Sequence, residues 1–233
     1  MRIETCLAEL LFKTNKCHDA LEILKSLNYE LKKKEDKQLL VESSLVEAKV
    51  YHALGNLPKS KASLTSVKTT ANSIYVIPQL QAEIDMMSGM LSADEKDYTT
   101  AYSYFYETFE GYRSMNLIEE AGHVFKFMLF SKIMGRQSED ALALINSALA
   151  LKYQGPNTTA MKAVAQANKN QSLADFSKCA ERYQKEMYSD LLIRRHFEDL
   201  MNNLIEDNLN KIILPYSEVQ IDFIADKIGL PID

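Results

Sequence analysis

The chain has 233 residues, 46% apolar and 25% charged, with a formal net charge of −5 and a pI near 5.5. Such a composition excludes a disordered chain, and its acidic balance gives no general attraction to nucleic acid or to an anionic membrane. No run of 18 or more apolar residues offers a membrane span.

Glu4 and Glu9 interrupt the first apolar run, unlike a secretory leader. Three cysteines, Cys6, Cys17 and Cys179, are an odd number, and they read as reduced thiols of the cytoplasm or nucleus. With 7 Gly and 5 Pro, breakers are scarce and long helices are expected. In chain order, a helical pattern begins at Ile3, with no cap before it. Four similar stretches then follow at intervals of about forty residues, headed by Ala20 in "ALEIL", Ala62 in "ASLTS", Ala101 in "AYSYF" and Ala141 in "ALALI". Each follows a turn signal: Asn15, Gly55-Asn56, Asp97 and Gly135. A second helical pattern precedes each turn, as in "QLLVESSLVEAKVYHAL", where Val46, Val50 and Leu54 share a face. One hairpin cannot bury its apolar face alone, so the repeat predicts stacked hairpins, with each Ala where two helices approach closely. The mixed-sign run "KKKEDK", Lys32 to Lys37, reads as a solvated connection between two helices.

"YTTAYSYFYETFEGY", Tyr98 to Tyr112, places Tyr98, Tyr102, Phe105, Phe109 and Tyr112 on one helical stripe. Tyr104 and Tyr106 lie off that stripe and could touch a neighbouring repeat. Rings that stack on bases are accompanied by Lys or Arg. Here Asp94, Glu95, Asp97, Glu107 and Glu110 flank them, so the stripe is expected to be core between repeats. The candidate core set is Ala62, Ala101, Tyr102, Phe105, Phe109 and Ala141.

Further on, "NQSLADF" contains a capping box of Ser172 and Asp175. A long helical pattern runs from about Leu191 to Ile213. "PYSEVQIDFIADKIGLP" supplies a second box at Ser217 and Gln220 and a stop at Gly229 and Pro231, like the opening of a winged-helix unit. Both ends read as cut, and a fragment is expected.

No chemistry is written into the pattern. His18, His52, His123 and His196 are scattered, Cys17-His18 with Cys6 is not zinc spacing, and there is no GxGxxG, GxxxxGK[ST] or GxSxG. No catalytic, cofactor-binding or metal-binding residue is assigned. Glu119-Glu120 and Glu139-Asp140 fit helix starts, where the helix dipole favours acids.

The stretches "LLVESSLVEAKVYHALGNLPKSKASLTSVKTTANSIY", "AYSYFYETFEGY", "FSKIMGRQSEDALALI", "AVAQANKNQSLADF" and "NLIEDNLNKIILPYSEVQIDFIADKIGL" closely resemble one family, the non-ATPase regulatory subunit eleven of the 26S proteasome lid. The resemblance covers nearly the whole chain. It implies an all-α fold: a right-handed α-solenoid of TPR-like hairpins over 1–155, the helical-repeat part of a PCI domain over 156–207, and an incomplete winged-helix start over 208–233. It also implies a non-catalytic scaffold of cytoplasm and nucleus, without cofactor. The partners it implies are other lid PCI subunits, base ATPases and core-particle α subunits, not nucleic acid or membrane. A PCI scaffold of the signalosome, and an RNA-binding PCI module, stand as alternatives.

Overall fold

Helix and turn alternate through the chain, and all regular structure among the described residues is helical. The structure is a computed structural model that describes residues 1–220 apart from 149, 189, 217 and 219. In order come α1 (Arg2–Lys13), α2 (Cys17–Lys34), α3 (Lys37–Ala53), α4 (Leu57–Ala71), α5 (Pro78–Asp94), α6 (Tyr98–Ser114) and α7 (Ile118–Met134). There follow α8 (Ser138–Ile145), a 3-10 turn (Ala150–Tyr153), α9 (Pro156–Asn170), α10 (Leu173–Arg182), α11 (Gln184–Tyr188) and α12 (Leu191–Ile213). The chain divides into two compact units, Met1–Val124 and Phe125–Asp233, and the division falls inside α7. The expected boundary at 155/156 coincides instead with the start of α9, and the one at 207/208 lies within α12.

In the first unit, α1 with α2, α3 with α4, and α5 with α6 form hairpins, and α3 also packs on α1 and α5. The turns within these hairpins share one device. Asn15, Gly55 and Lys96 take left-handed backbone, with φ of 60°, 75° and 64°. The next amide, of Lys16, Asn56 or Asp97, donates to the carbonyl five residues back, on Leu11, Tyr51 or Ser92. The left-handed residue's own amide donates three residues back. Together these bonds satisfy helix-end carbonyls in the Schellman arrangement. Asn116 before α7 and Arg136 before α8 repeat the device, as does Gln171 before α10. Asn56 and Asp97 then cap the following helix, their side chains accepting from the amides of Lys59 and Thr100. Asp36 caps α3 in the same way.

The structure moves the repeat by two residues at its second copy. The fourth residue of α2, α4, α6 and α8 is Ala20, Ser60, Ala101 and Ala141, and all four are buried. Ala62, expected at that position, is exposed. Ser60 takes the close-approach site, and its hydroxyl donates to the Ala48 carbonyl of α3 at 2.8 Å, which settles a polar group no alanine brings.

α3 is apolar on two faces because it has neighbours on both. Val46 and Val50 join Ala8, Ala20, Leu21 and Leu24, while Val41, Leu45 and Ala48 join Leu64, Val67, Ile84, Met87 and Leu91. Leu54, which the spacing puts on the Val46 face, is 41% exposed, because α3 has ended there and Leu54 serves as its C-cap.

In the second unit, α9 packs against α8, α10 and α11, and α12 against α10 and α11. From Phe125 to Ser131 every residue of α7 is buried.

Candidate functional site

Among the described residues, those with chemical character gather in three places. The first is the seam between α5 and α6. Ala101, Phe105, Thr108 and Phe109 are fully buried. Tyr98, Tyr102 and Tyr112 are half-buried. The stripe thus grades from a dry phenylalanine centre to wet tyrosine ends, as a ring with a polar tip requires. Burial, with help from the charges of Glu83 and Glu120, pushes the Tyr112 phenol up to about 12. Phe105 lies on Gly89 of α5, where no side chain intervenes. Thr108 donates across the seam to the Ala82 carbonyl at 3.3 Å. Off the stripe, the Tyr104 hydroxyl accepts from Lys68 of α4 at 3.2 Å, with the ammonium 4.4 Å from the ring centre. Tyr106 is exposed.

The second place is a set of polar ties between helices of the first unit. Lys49 of α3 meets Glu83 of α5 at 2.5 Å, and Lys61 of α4 meets Glu95 at the end of α5 at 2.5 Å. His52 of α3 meets Asp94 of α5 at 2.6 Å, both side chains almost entirely buried. Between α2 and α3, Ser43 donates to Asn28, and Asn28 donates to Glu47 at 2.9 Å. Burial raises the Glu47 carboxyl above the ordinary range, against the lowering by Asn28. Asp85 on α5 is likewise raised by burial.

The third place lies in the second unit. Lys126 of α7 is 1% exposed. It pairs with Asp190, the N-cap of α12, at 2.6 Å and donates to the Glu186 carbonyl of α11. A buried cation is costly unless matched; here a carboxylate and a carbonyl match it where α11 gives way to α12. Phe130 packs against His196, Phe125 against Tyr153, and Phe176 stacks on Phe197 at 5.2 Å. Asn168 of α9 donates to Ser138 of α8 at 2.8 Å.

The capping residues behave unevenly. Ser172 caps α10, its hydroxyl accepting from the Asp175 amide at 3.2 Å. The reciprocal bond from Asp175 does not form, because the Ser172 amide already closes the preceding turn on the Ala167 carbonyl. Ser217 lies outside the described residues, as do 221–233, where the helix of that second box was expected. Gln220 is exposed.

Among the described residues no three His, Cys, Asp or Glu side chains are grouped to hold a metal ion, and no helix is long and apolar enough to cross a membrane. The inter-repeat ties His52–Asp94 and Lys49–Glu83 escaped the sequence reading. Their one signal is separation by about a repeat, 42 and 34 residues. The Lys126–Asp190 pair, 64 residues apart, carries no such signal.

Stacked helical hairpins with a ring-filled seam, tied by side chains about a repeat apart, define a helical-repeat protein. The PCI domain family matches residues 173–233, beginning where α10 begins. Three relatives sharpen the class. A probable 26S proteasome regulatory subunit rpn6 of Schizosaccharomyces pombe is 44% identical over 228 residues, 98% of this chain and 54% of that protein. The 26S proteasome non-ATPase regulatory subunit 11 homolog of Arabidopsis thaliana is 44% identical, over 100% of this chain and 55% of that protein. The 26S proteasome regulatory subunit RPN6 of Saccharomyces cerevisiae is 46% identical, over 96% and 52%. Over nearly its whole length the chain is thus 44–46% identical to proteins named as 26S proteasome regulatory subunits. It spans about half the length of the curated relatives it matches.

Proposed function

We propose that the chain is a non-catalytic scaffold segment of the proteasome regulatory particle, acting in ubiquitin-dependent protein degradation as part of the lid. The observation that carries this reading is identity of 44–46% along nearly the whole chain to subunits named for that particle. The mechanism is geometric. A stack of hairpins with a continuous core and cross-repeat ties resists bending, so the surfaces it presents stay in register with several neighbours. The first unit serves as the solenoid and the segment from α10 onward as the PCI part. The partners implied are other PCI subunits of the lid, base ATPases and core-particle α subunits, in cytoplasm and nucleus, and no reaction is assigned to the chain itself.

Affinity purification of the full-length protein tests this. Proteasome ATPases and lid subunits should co-purify at near-equal amounts. Recovery of cullin-processing signalosome subunits instead would replace the reading by the signalosome alternative. Salt-sensitive binding to RNA by the purified protein would favour the RNA-binding alternative.

A further inference from the structure

A groove of about 320 Å³ opens on the first unit, walled by α1, α3 and α5. Its floor is apolar: Leu45 and Val46 of α3, with Leu80 of α5 half-buried beside them. Ile77, ahead of α5, lines one side and is 50% exposed, and Tyr75 two residues earlier is 86% exposed. Ile77 thus holds one large exposed apolar side chain beside a cleft whose floor is also apolar. The charged lining is three carboxylates, Glu9, Glu42 and Glu83, against two cations, Arg2 and Lys49. Glu83 is matched by Lys49, and Glu9 by Lys13. Glu42 is half-buried over the apolar floor and has no hydrogen bond or ion pair among the described residues. Arg2, at the other wall, is exposed.

We infer that this groove docks a segment of a partner protein that brings one apolar side chain to the Leu45–Val46–Leu80 floor and a lysine or arginine to Glu42. The volume admits one or two large side chains rather than a long peptide, so the contact is an anchor. A half-buried carboxylate without a partner has lost part of its hydration, and a cation delivered beside it restores what burial removed. An acidic segment would place like charge against Glu42 and is selected against. The inference rests on the scaffold reading only in that it names the chemistry of one partner; binding by the purified chain is independent of which assembly the chain enters.

The probe is a short capped peptide of alternating leucine and lysine, with a leucine–glutamate peptide as its counterpart. Cys6 lines the groove and is exposed, so a fluorophore placed on it in a C17S/C179S background reports occupancy. The leucine–lysine peptide should change the signal with saturation and the leucine–glutamate peptide should not. Glu42→Gln should weaken binding about tenfold, the scale of a charge-assisted bond, while leaving the thermal melt unchanged. Glu119→Gln, an exposed acid at the start of α7 remote in sequence from the groove, should leave binding unchanged. Equal losses in the two variants would reduce the effect to general attraction to an acidic protein and overturn the proposal. Binding unaffected by Glu42→Gln, or no binding of the lysine peptide, would overturn it as well. Neither failure touches co-purification with the proteasome, which tests the scaffold reading separately.

Discussion

Gly89→Ala and Phe105→Ala form a cycle whose sign turns on one contact. A methyl group built on Gly89 falls 2.6 Å from Phe105 Cε1 and 2.7 Å from Cδ1. Carbon atoms in contact sit about 3.5–4.0 Å apart, so the ring must move by about an ångström, and it is fully buried with nowhere to go. Two effects then compete in the parent: overpacking costs about 1–3 kcal/mol, while alanine in a helix interior is favoured over glycine by about 1 kcal/mol. Their sum is a loss of about 0–2 kcal/mol. Phe105→Ala alone opens a cavity and should cost about 3–5 kcal/mol. In that background the ring is gone, the Gly89→Ala methyl enters vacated space, and the helix preference stands alone. The same substitution should then stabilise by about 0.5–1 kcal/mol. The coupling between the sites is therefore about 2 kcal/mol, measurable by urea unfolding followed by far-ultraviolet circular dichroism. If Gly89→Ala lowers stability by the same amount in both backgrounds, the ring does not rest on Gly89 and the α5–α6 seam is wrongly described.

Three further outcomes follow from other parts of the molecule. Asp190→Asn leaves the Lys126 cation buried without its counter-charge and should cost about 3–5 kcal/mol, whereas Lys126→Met, which removes the buried charge, should cost less; thermal melts that reverse this order would refute the pairing. Glu35, with φ 55° at the end of α2, and Gly55, with φ 75°, occupy the same left-handed region. Glu35→Gly should raise stability and Gly55→Ala lower it, each by about 1 kcal/mol. Glu47 is protonated more readily in the folded than in the unfolded chain, because burial raises its carboxyl from 4.5. As pH rises past the unfolded value, the unfolded chain releases its proton first, so stability falls until the folded group has ionised too. Glu47→Gln, which can still accept from Asn28, should therefore gain on the parent across that interval; parallel pH curves for the two proteins would count against the burial.

Much of the fold was legible because its cause is local. Scarce breakers, turn residues near every twentieth position and apolar spacing together specify helix, turn and helix. The left-handed residues were harder, since among the described residues only Gly55 is glycine, and Asn15, Lys96, Asn116, Arg136 and Gln171 close the same kind of turn. Their backbone bonds stabilise the left-handed conformation and relieve the need for glycine. The slip from Ser60 to Ala62 has a similar root. Small size was the signal sought, and alanine was followed where serine meets the same steric demand. Two residues along a helix turn a side chain by about 200°, enough to carry Ala62 from the seam to solvent.

The tyrosine ends of the aromatic stripe and the Lys126 pair mark where pattern reading stops. Spacing placed Tyr102 and Phe105 on one face but could not grade them, because depth of burial depends on how far the facing helix extends over each position. Lys126 is flanked by Phe125 and Phe127, so a helical pattern alone gives it no exposed face; its burial becomes tolerable only because Asp190 and the Glu186 carbonyl arrive from sixty residues and more along the chain. Glu42 is the converse case: a carboxylate in the row of α3 residues that build the core, with no cation in the described chain to meet it. Buried charge that is matched within the fold serves the fold, and the Lys126 site is of that kind. The half-buried, unmatched Glu42 over an apolar floor is what the proposed partner would match, and this is why the groove between α1, α3 and α5 is where docking should be sought first.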